Sequence, residues 1–232
     1  MKVFCGMLVA TAMMAAVPAA LAQAPAVQPT GTSYMVTYLE VLPSAQGVAA
    51  SLLKDVAAAS RKEAGSQRYD VLQRVDRPNQ FAILEAWTDL KAAEAHTGGA
   101  VLKQFKDKLA PLRASFYDER PSNGVTVAAS PAAAGKDSIY VITHVDVIPP
   151  KREDCVAMLT KLAADSRAMP NSERFEAWVQ NNRSNHFTVT STWKNRAAFD
   201  ASIAALSTTD FREKLGAITG ALYDERLYTS VE

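Results

Sequence analysis

Apolar and polar positions along the chain change period repeatedly, and the changes mark elements. Tyr34–Val41 and Ile139–Val147 are rich in Tyr, Val, Ile and Thr and stop at Pro43 and at Pro149-Pro150, as strands do. A helical period follows each. The first helix is expected over about 45–64, with Val48, Leu52, Val56 and Ala59 on one face. The second is expected over about 152–169, ended by Pro170. Tyr69–Gln73 and Phe175–Gln180 read as second strands, and Gln80–Trp87 and His186–Trp193 as third strands. The turn-rich runs Arg77-Pro78-Asn79 and 181–185 join them as hairpins. Helical segments come next, with Leu102, Phe105, Leu109 and Leu112 spaced three and four apart in one, and Phe211, Leu215 and Ile218 in the other. Final strands are expected near 115–120 and 221–228.

The list of elements has the same half twice. Tyr117-Asp118-Glu119-Arg120 recurs as Tyr223-Asp224-Glu225-Arg226, and an offset of 106 aligns 34–120 with 140–226 without a gap, with 24 of 87 positions identical. Among them are Ser60-Arg61/Ser166-Arg167, Arg68/Arg174, Trp87/Trp193 and Phe105/Phe211. So long a period means duplicated domains, since solenoid repeats run roughly 20–50 residues. The expected division is a leader at 1–22, a lead-in at 23–33, a first domain at 34–121, a linker at 122–137 and a second domain at 138–232.

Each copy has the order βαββαβ, the split unit of ferredoxin-like folds, with a four-stranded antiparallel sheet and both helices on one face. Phe81, Ile83, Glu85 and Trp87 alternate with Ala82, Leu84 and Ala86, so neither face of the third strand is polar. A sheet apolar on both sides needs a second layer. The expectation is an α+β fold: two tandem ferredoxin-like domains packed sheet to sheet as an intramolecular pseudo-dimer, a dimeric α+β barrel in one chain, with a cavity between the sheets. The chain is then a monomer in this sense or a higher homo-oligomer.

Composition narrows the partners. Apolar residues make up 48% and charged residues 21%, a globular balance rather than a disordered one. The formal charge is +1, from 25 basic and 24 acidic side chains, which gives no electrostatic reason for nucleic acid or an anionic membrane as partner. Lys2, a short apolar run and Ala20-Leu21-Ala22 form the pattern of a cleavable signal peptide. The expectation is export to the periplasm or beyond, with cleavage after Ala22 and no membrane attachment afterwards. Cys155, on the stripe with Leu159 and Leu162, reads as a small core residue.

Leu84-Glu85-Ala86-Trp87 on a strand, then Asp89, Ala92-Ala93 and Ala95-His96, resembles the antibiotic biosynthesis monooxygenase domain family, of the quinol monooxygenase type. The resemblance covers both copies. It implies the dimeric α+β barrel and a cofactor-free oxygenase that deprotonates a small aromatic or quinol substrate, which then attacks dioxygen directly. The second copy departs from the pattern, with Ser191 in place of Glu85 and Ser202 in place of His96, while Trp193 persists. Chemistry is therefore expected in the first copy.

His96 is the candidate acid/base group and Glu85 its orienting carboxylate, because an imidazole exchanges protons near neutrality. Trp87 offers a flat apolar wall to an aromatic substrate, and Trp193 its counterpart. Tyr38 and His144 share one strand position and face whatever Val36 and Ile142 face; if that is the barrel interior, they line the cavity. The alternative function is non-catalytic binding of a small apolar ligand in that cavity. Three scattered histidines make no metal-ligand spacing, so no metal site is expected. The haem-degrading relatives use an Asn on strand one and a His on the second helix; neither has a counterpart here. No glycine-rich phosphate loop is present, so nucleotide cofactors have no support, and the resemblance implies chemistry with no cofactor, neither metal nor flavin. The Tyr-Asp-Glu-Arg repeats read as structural, with Arg68 and Arg174 as candidate partners.

Overall fold

The computed structural model describes residues 31–127 and 134–231. The signal-peptide expectation falls on 1–22, outside the described residues. The first half runs β1 (Ser33–Glu40), α1 (Gln46–Ser60), β2 (Ser66–Arg74), β3 (Gln80–Trp87), α2 (Leu90–Thr97), α3 (Ala100–Leu109) and β4 (Asp118–Thr126). The second repeats it as β5 (Ile139–Asp146), α4 (Arg152–Arg167), β6 (Ser172–Gln180), β7 (Arg183–Trp193), α5 (Arg196–Ile203), α6 (Leu206–Gly216) and β8 (Asp224–Ser230). The arm between the third and fourth strands is two helices in each half, broken at Gly98-Gly99 and at Ala204-Ala205. Asp89 and Asn195 cap the first helix of each arm by accepting from Ala92 N–H at 2.8 Å and Ala198 N–H at 2.9 Å.

All eight strands close into one barrel in the order β1-β3-β2-β8-β5-β7-β6-β4. The two sheets are therefore continuous. At one seam Leu72 pairs with Ser230, and at the other Trp178 pairs with Gly124, the same pairing 106 residues on. The first part of the stretch expected as linker is strand: β4 runs on to Thr126 and hydrogen-bonds both β1 and β6. Closure removes both sheet edges.

Side chains alternate between two environments. Outward-facing Leu39, Tyr69, Phe81, Ile83 and Trp87 pack under the helices of the first half, and Val145, Phe175, Phe187, Val189 and Trp193 under those of the second. Cys155 is wholly buried in the latter layer, and burial pushes its thiol up to about 12. Inward-facing Tyr34, Val36, Tyr38, Leu72, Leu84, Tyr140, Ile142, Trp178 and Tyr228 fill the barrel. The chamber expected between the sheets is thus packed at its middle, and open volume lies toward the ends. Tyr34 stacks on Trp178 at 5.0 Å, and the Arg68 guanidinium lies 5.1 Å from the Trp178 ring.

Gly65, at the turn into β2, has φ +85°, and a Cβ there would lie 2.6 Å from Ala92 Cβ. The matching position of the second half is Asn171 at φ 62°, so both copies use the left-handed region, and only the first also needs the space.

Arg68 and Arg174 do not serve the Tyr-Asp-Glu-Arg repeats. Arg68 pairs with Glu176 at 2.9 Å and Arg174 with Asp70 at 3.2 Å, each bond crossing from one half to the other. Within the repeats, Asp118 holds Arg120 and Asp224 holds Arg226, while Glu119 pairs with Lys106 and Glu225 with Arg212. An inward i,i+2 pair on one strand satisfies the charges that were expected to pair between strands.

Candidate functional site

β3 delivers Glu85 and Trp87 to the outer face of the barrel wall, and α2 delivers His96 from its last turn. The three meet beneath the helices of the first half. Trp87 Nε1 donates to Glu85 Oε2 at 2.9 Å, and the His96 ring stacks on Trp87 at 4.5 Å with an interplanar angle of 24°. Tyr69 stands edge-on to His96 at 5.6 Å. His96 Nδ1 lies 2.9 Å from Glu63 Oε2, whereas Nε2 is 3.5 Å from Glu85 Oε2 with no hydrogen-bond partner. The Glu63 contact makes Nδ1 the donor to Glu63 and leaves Nε2 facing Glu85.

Burial dominates the electrostatics. Glu85 is 2% exposed, and loss of solvation raises its carboxyl to about 7 against the opposing hydrogen bond from Trp87, with the Glu119 charge adding to the rise. Burial and then the Glu85 charge push the Tyr69 and Tyr117 phenols well above their ordinary range, so both stay protonated. The result is a buried carboxyl that changes protonation near neutrality beside an imidazole nitrogen with no hydrogen-bond partner. Such a pair can take up one proton and return it.

The second half builds the same place with serines at the two inner positions, and Glu225 stays at its edge. Ser191 Oγ accepts from Trp193 Nε1 at 3.0 Å, and Ser202 donates to the Phe199 carbonyl at 2.7 Å. The smaller side chains leave a cavity of about 40 Å³ walled by Trp193, Phe199, Phe211 and Val189.

Tyr38 and His144 lie on the other face of the wall. Their rings meet edge to face at 5.3 Å inside the barrel, between Arg120 and Arg226. Burial first, then the two guanidinium charges, hold the His144 imidazole down at about 4. The candidate residues therefore separate into His96, Glu85 and Trp87 beneath the first half's helices, Trp193 beneath the second's, and Tyr38 with His144 within the barrel. Sequence reasoning missed Glu63, Lys106 and Glu119. Glu63 sits just past α1 and faces Met169 in the repeat alignment, a charge-for-apolar difference that could have marked it.

A closed α+β barrel built from two repeated halves of one chain defines a duplicated member of the dimeric barrel class. The model of the antibiotic biosynthesis monooxygenase family matches residues 32–108 and again 138–214, and the chain belongs to that family. Among solved structures, a provisionally assigned monooxygenase of Fusobacterium nucleatum is similar with a TM-score of 0.79 and 13% identity, over 87% of this chain and 93% of that one. One of Lactobacillus acidophilus NCFM gives 0.73 and 11%, over 88% and 95%. An anthrone oxidase-like protein gives 0.66 and 14%, over 87% and 92%. At these identities the likeness is one of fold. A search of curated proteins finds no match.

Proposed function

We propose that this protein is an exported, cofactor-independent monooxygenase of a small aromatic or quinol, with its chemistry in the first half. The observation that carries the reading is the Glu63–His96–Glu85 cluster, in which His96 and Glu85 are buried, Glu85 is joined to Trp87, and the two buried positions are serines in the second half. Glu63 is the most exposed of the three carboxyl-imidazole groups, at 25%, and gives the cluster its contact with solvent.

The residues act on protons and on position. His96 Nε2 accepts the phenolic proton, its imidazolium is held by Glu63, and Trp87 and Tyr69 bound the aromatic ring. The electron-rich quinolate then reduces dioxygen: a carbon–oxygen bond forms to give a hydroperoxide, the C–H bond at that carbon and the oxygen–oxygen bond break, one oxygen stays as a carbonyl, and the other leaves as water with the C–H proton and the proton that His96 took up. His96 and Glu85 are closed off from solvent, so the substrate enters by displacement of the α2–α3 arm at its Gly98-Gly99 break.

Oxygen uptake on a panel of quinols and anthrones tests the reading. His96→Ala and Glu85→Gln are each expected to lower kcat by about a hundredfold or more, the usual scale of general acid/base catalysis. Turnover unchanged in both variants, or no uptake by the wild-type protein across the panel, rejects it.

A further inference from the structure

One end of the barrel carries a concave site that owes nothing to the Glu85 cluster. It encloses about 310 Å³, the size of a small-molecule site, and both halves build it. Its lining includes Arg74, Arg77, Arg120 and Arg226 against two carboxylates, Glu40 and Asp118. Phe81 and the exposed Phe116 give it an apolar side.

Three of these arginines are held alike. Each offers Nε and Nη2 to a carboxylate two residues away: Arg74 to Asp76 at 2.7 and 3.0 Å, Arg120 to Asp118 at 3.0 and 2.7 Å, and Arg226 to Asp224. The forks fix the planes of the guanidinium groups and leave their Nη1 ends for other acceptors. Arg74 Nη1 donates to Gln80 at 2.8 Å, Arg120 Nη1 reaches His144 Nε2 at 3.1 Å, and Arg226 lies beside the Tyr228 phenol. Glu40 is occupied by Asn79 and Gln80 at 3.2 and 3.1 Å. Arg77 stands exposed at the rim.

The lining also contains an orphan. Tyr38 is 9% exposed, its ring is flanked by Arg120 and Arg226 at 5.0 and 5.4 Å, and its hydroxyl is buried with no hydrogen-bond partner. A buried hydroxyl without a partner carries a penalty that an incoming acceptor removes. Beside it His144 is neutral at neutral pH, held so by burial and the two arginines, and so adds a dipole rather than a charge.

We propose that this end of the barrel binds a small organic anion through one carboxylate or phosphate group, held by Arg226 and Arg77 with the Tyr38 hydroxyl as a neutral donor. Phe81 and Phe116 take the organic part. The carboxylate forks fix the planes of Arg74, Arg120 and Arg226; Arg74 and Arg120 also engage their Nη1 ends with Gln80 and His144, so recognition falls to Arg226 and the exposed Arg77. The proposal is independent of the oxygenase reading, because it is measured as binding without turnover.

Isothermal titration of the whole protein with benzoate and, separately, with inorganic phosphate tests it, at constant ionic strength set with sodium chloride. One saturable site per chain is expected for at least one probe. Saturation by benzoate alone assigns a carboxylate, and by phosphate alone a phosphate; either outcome supports the site. Arg226→Gln is expected to weaken binding at least tenfold. Arg226→Lys, which keeps the charge beside Asp224, should lose less. Tyr38→Phe should weaken binding while leaving the melting temperature of the free protein unchanged or raised, an opposition that a purely structural tyrosine does not produce. Arg77→Gln, at an exposed position, serves if Arg226→Gln does not fold. No saturable binding of either probe, or equal affinity in all variants, overturns the proposal.

Discussion

Glu85 and His144 pull the pH dependence of stability in opposite directions. Glu85 binds its proton at about 7 in the folded chain against an ordinary 4.5, so the native state holds more protons than the unfolded one between these values. Stability falls as pH rises through that window and is level above it, and the charged form costs about 3 kcal/mol. Glu85→Gln should therefore gain stability over wild type at pH 8 and little at pH 4, as read by urea unfolding across the range. A gain equal at both pH values would contradict the burial argument. His144, lowered from 6.5 to about 4, contributes stability that is complete above 6.5 and is lost as pH falls toward 4. At this scale the sequence was partly legible. The difference between Glu85 and Ser191 is visible in the repeat alignment. Strand parity also separates Glu85 from Leu84. Parity does not say which face meets helices, and that is why Tyr38 and Trp87, expected around one cavity, stand on opposite sides of the wall. The repeat alignment could mark Glu63 by its difference from Met169 but not its partner, because only the packing of α2 against β3 brings His96 across 33 positions to it.

Elements were more legible than their joints. β3 falls where alternation and flanking turns put it, at Gln80–Trp87. The arm helices were seen as apolar stripes, but their breaks depend on contacts between the arm and the wall. Gly65 is one such joint. Gly65→Ala should destabilise by about 1–3 kcal/mol, from the positive φ and from the clash with Ala92, whereas Asn171→Gly should be nearly neutral. Thermal melts of both variants check this; a loss in Asn171→Gly as large as that in Gly65→Ala would contradict the argument from φ. The ion pairs between β2 and β6 form a second joint. Arg68→Met leaves Glu176 buried without its partner and should cost about 3 kcal/mol, while Arg68→Met with Glu176→Leu should restore most of the loss. Chemical denaturation of the single and double variants reads the difference. The sequence marked Arg68 and Arg174 as repeated but gave them the wrong partners, since which carboxylates they meet is set by barrel closure.

For the whole molecule, duplication and a two-sided apolar sheet were enough to imply two halves packed together. They were not enough to show that the sheets share hydrogen bonds at two seams. A protease site placed between residues 127 and 134 should leave the cut halves co-eluting as a 1:1 complex in size exclusion, because β2–β8 and β4–β6 still join them. Separation of the halves at neutral pH without denaturant would show that the seams contribute little.

The two halves share one covalent chain, and this frees the barrel from a constraint that binds any dimer of identical subunits. A true twofold axis copies every residue, so a tyrosine on the axis side of one first strand must meet a tyrosine from the other. Here Tyr38 meets His144, Arg74 has Gln180 as its counterpart, and the buried carboxyl of one half is a serine in the other. Each substitution can be made once. Fusion lets one copy keep the charged cluster while the other drops its energetic cost, and it permits an off-axis mouth that no homodimer of either half could assemble.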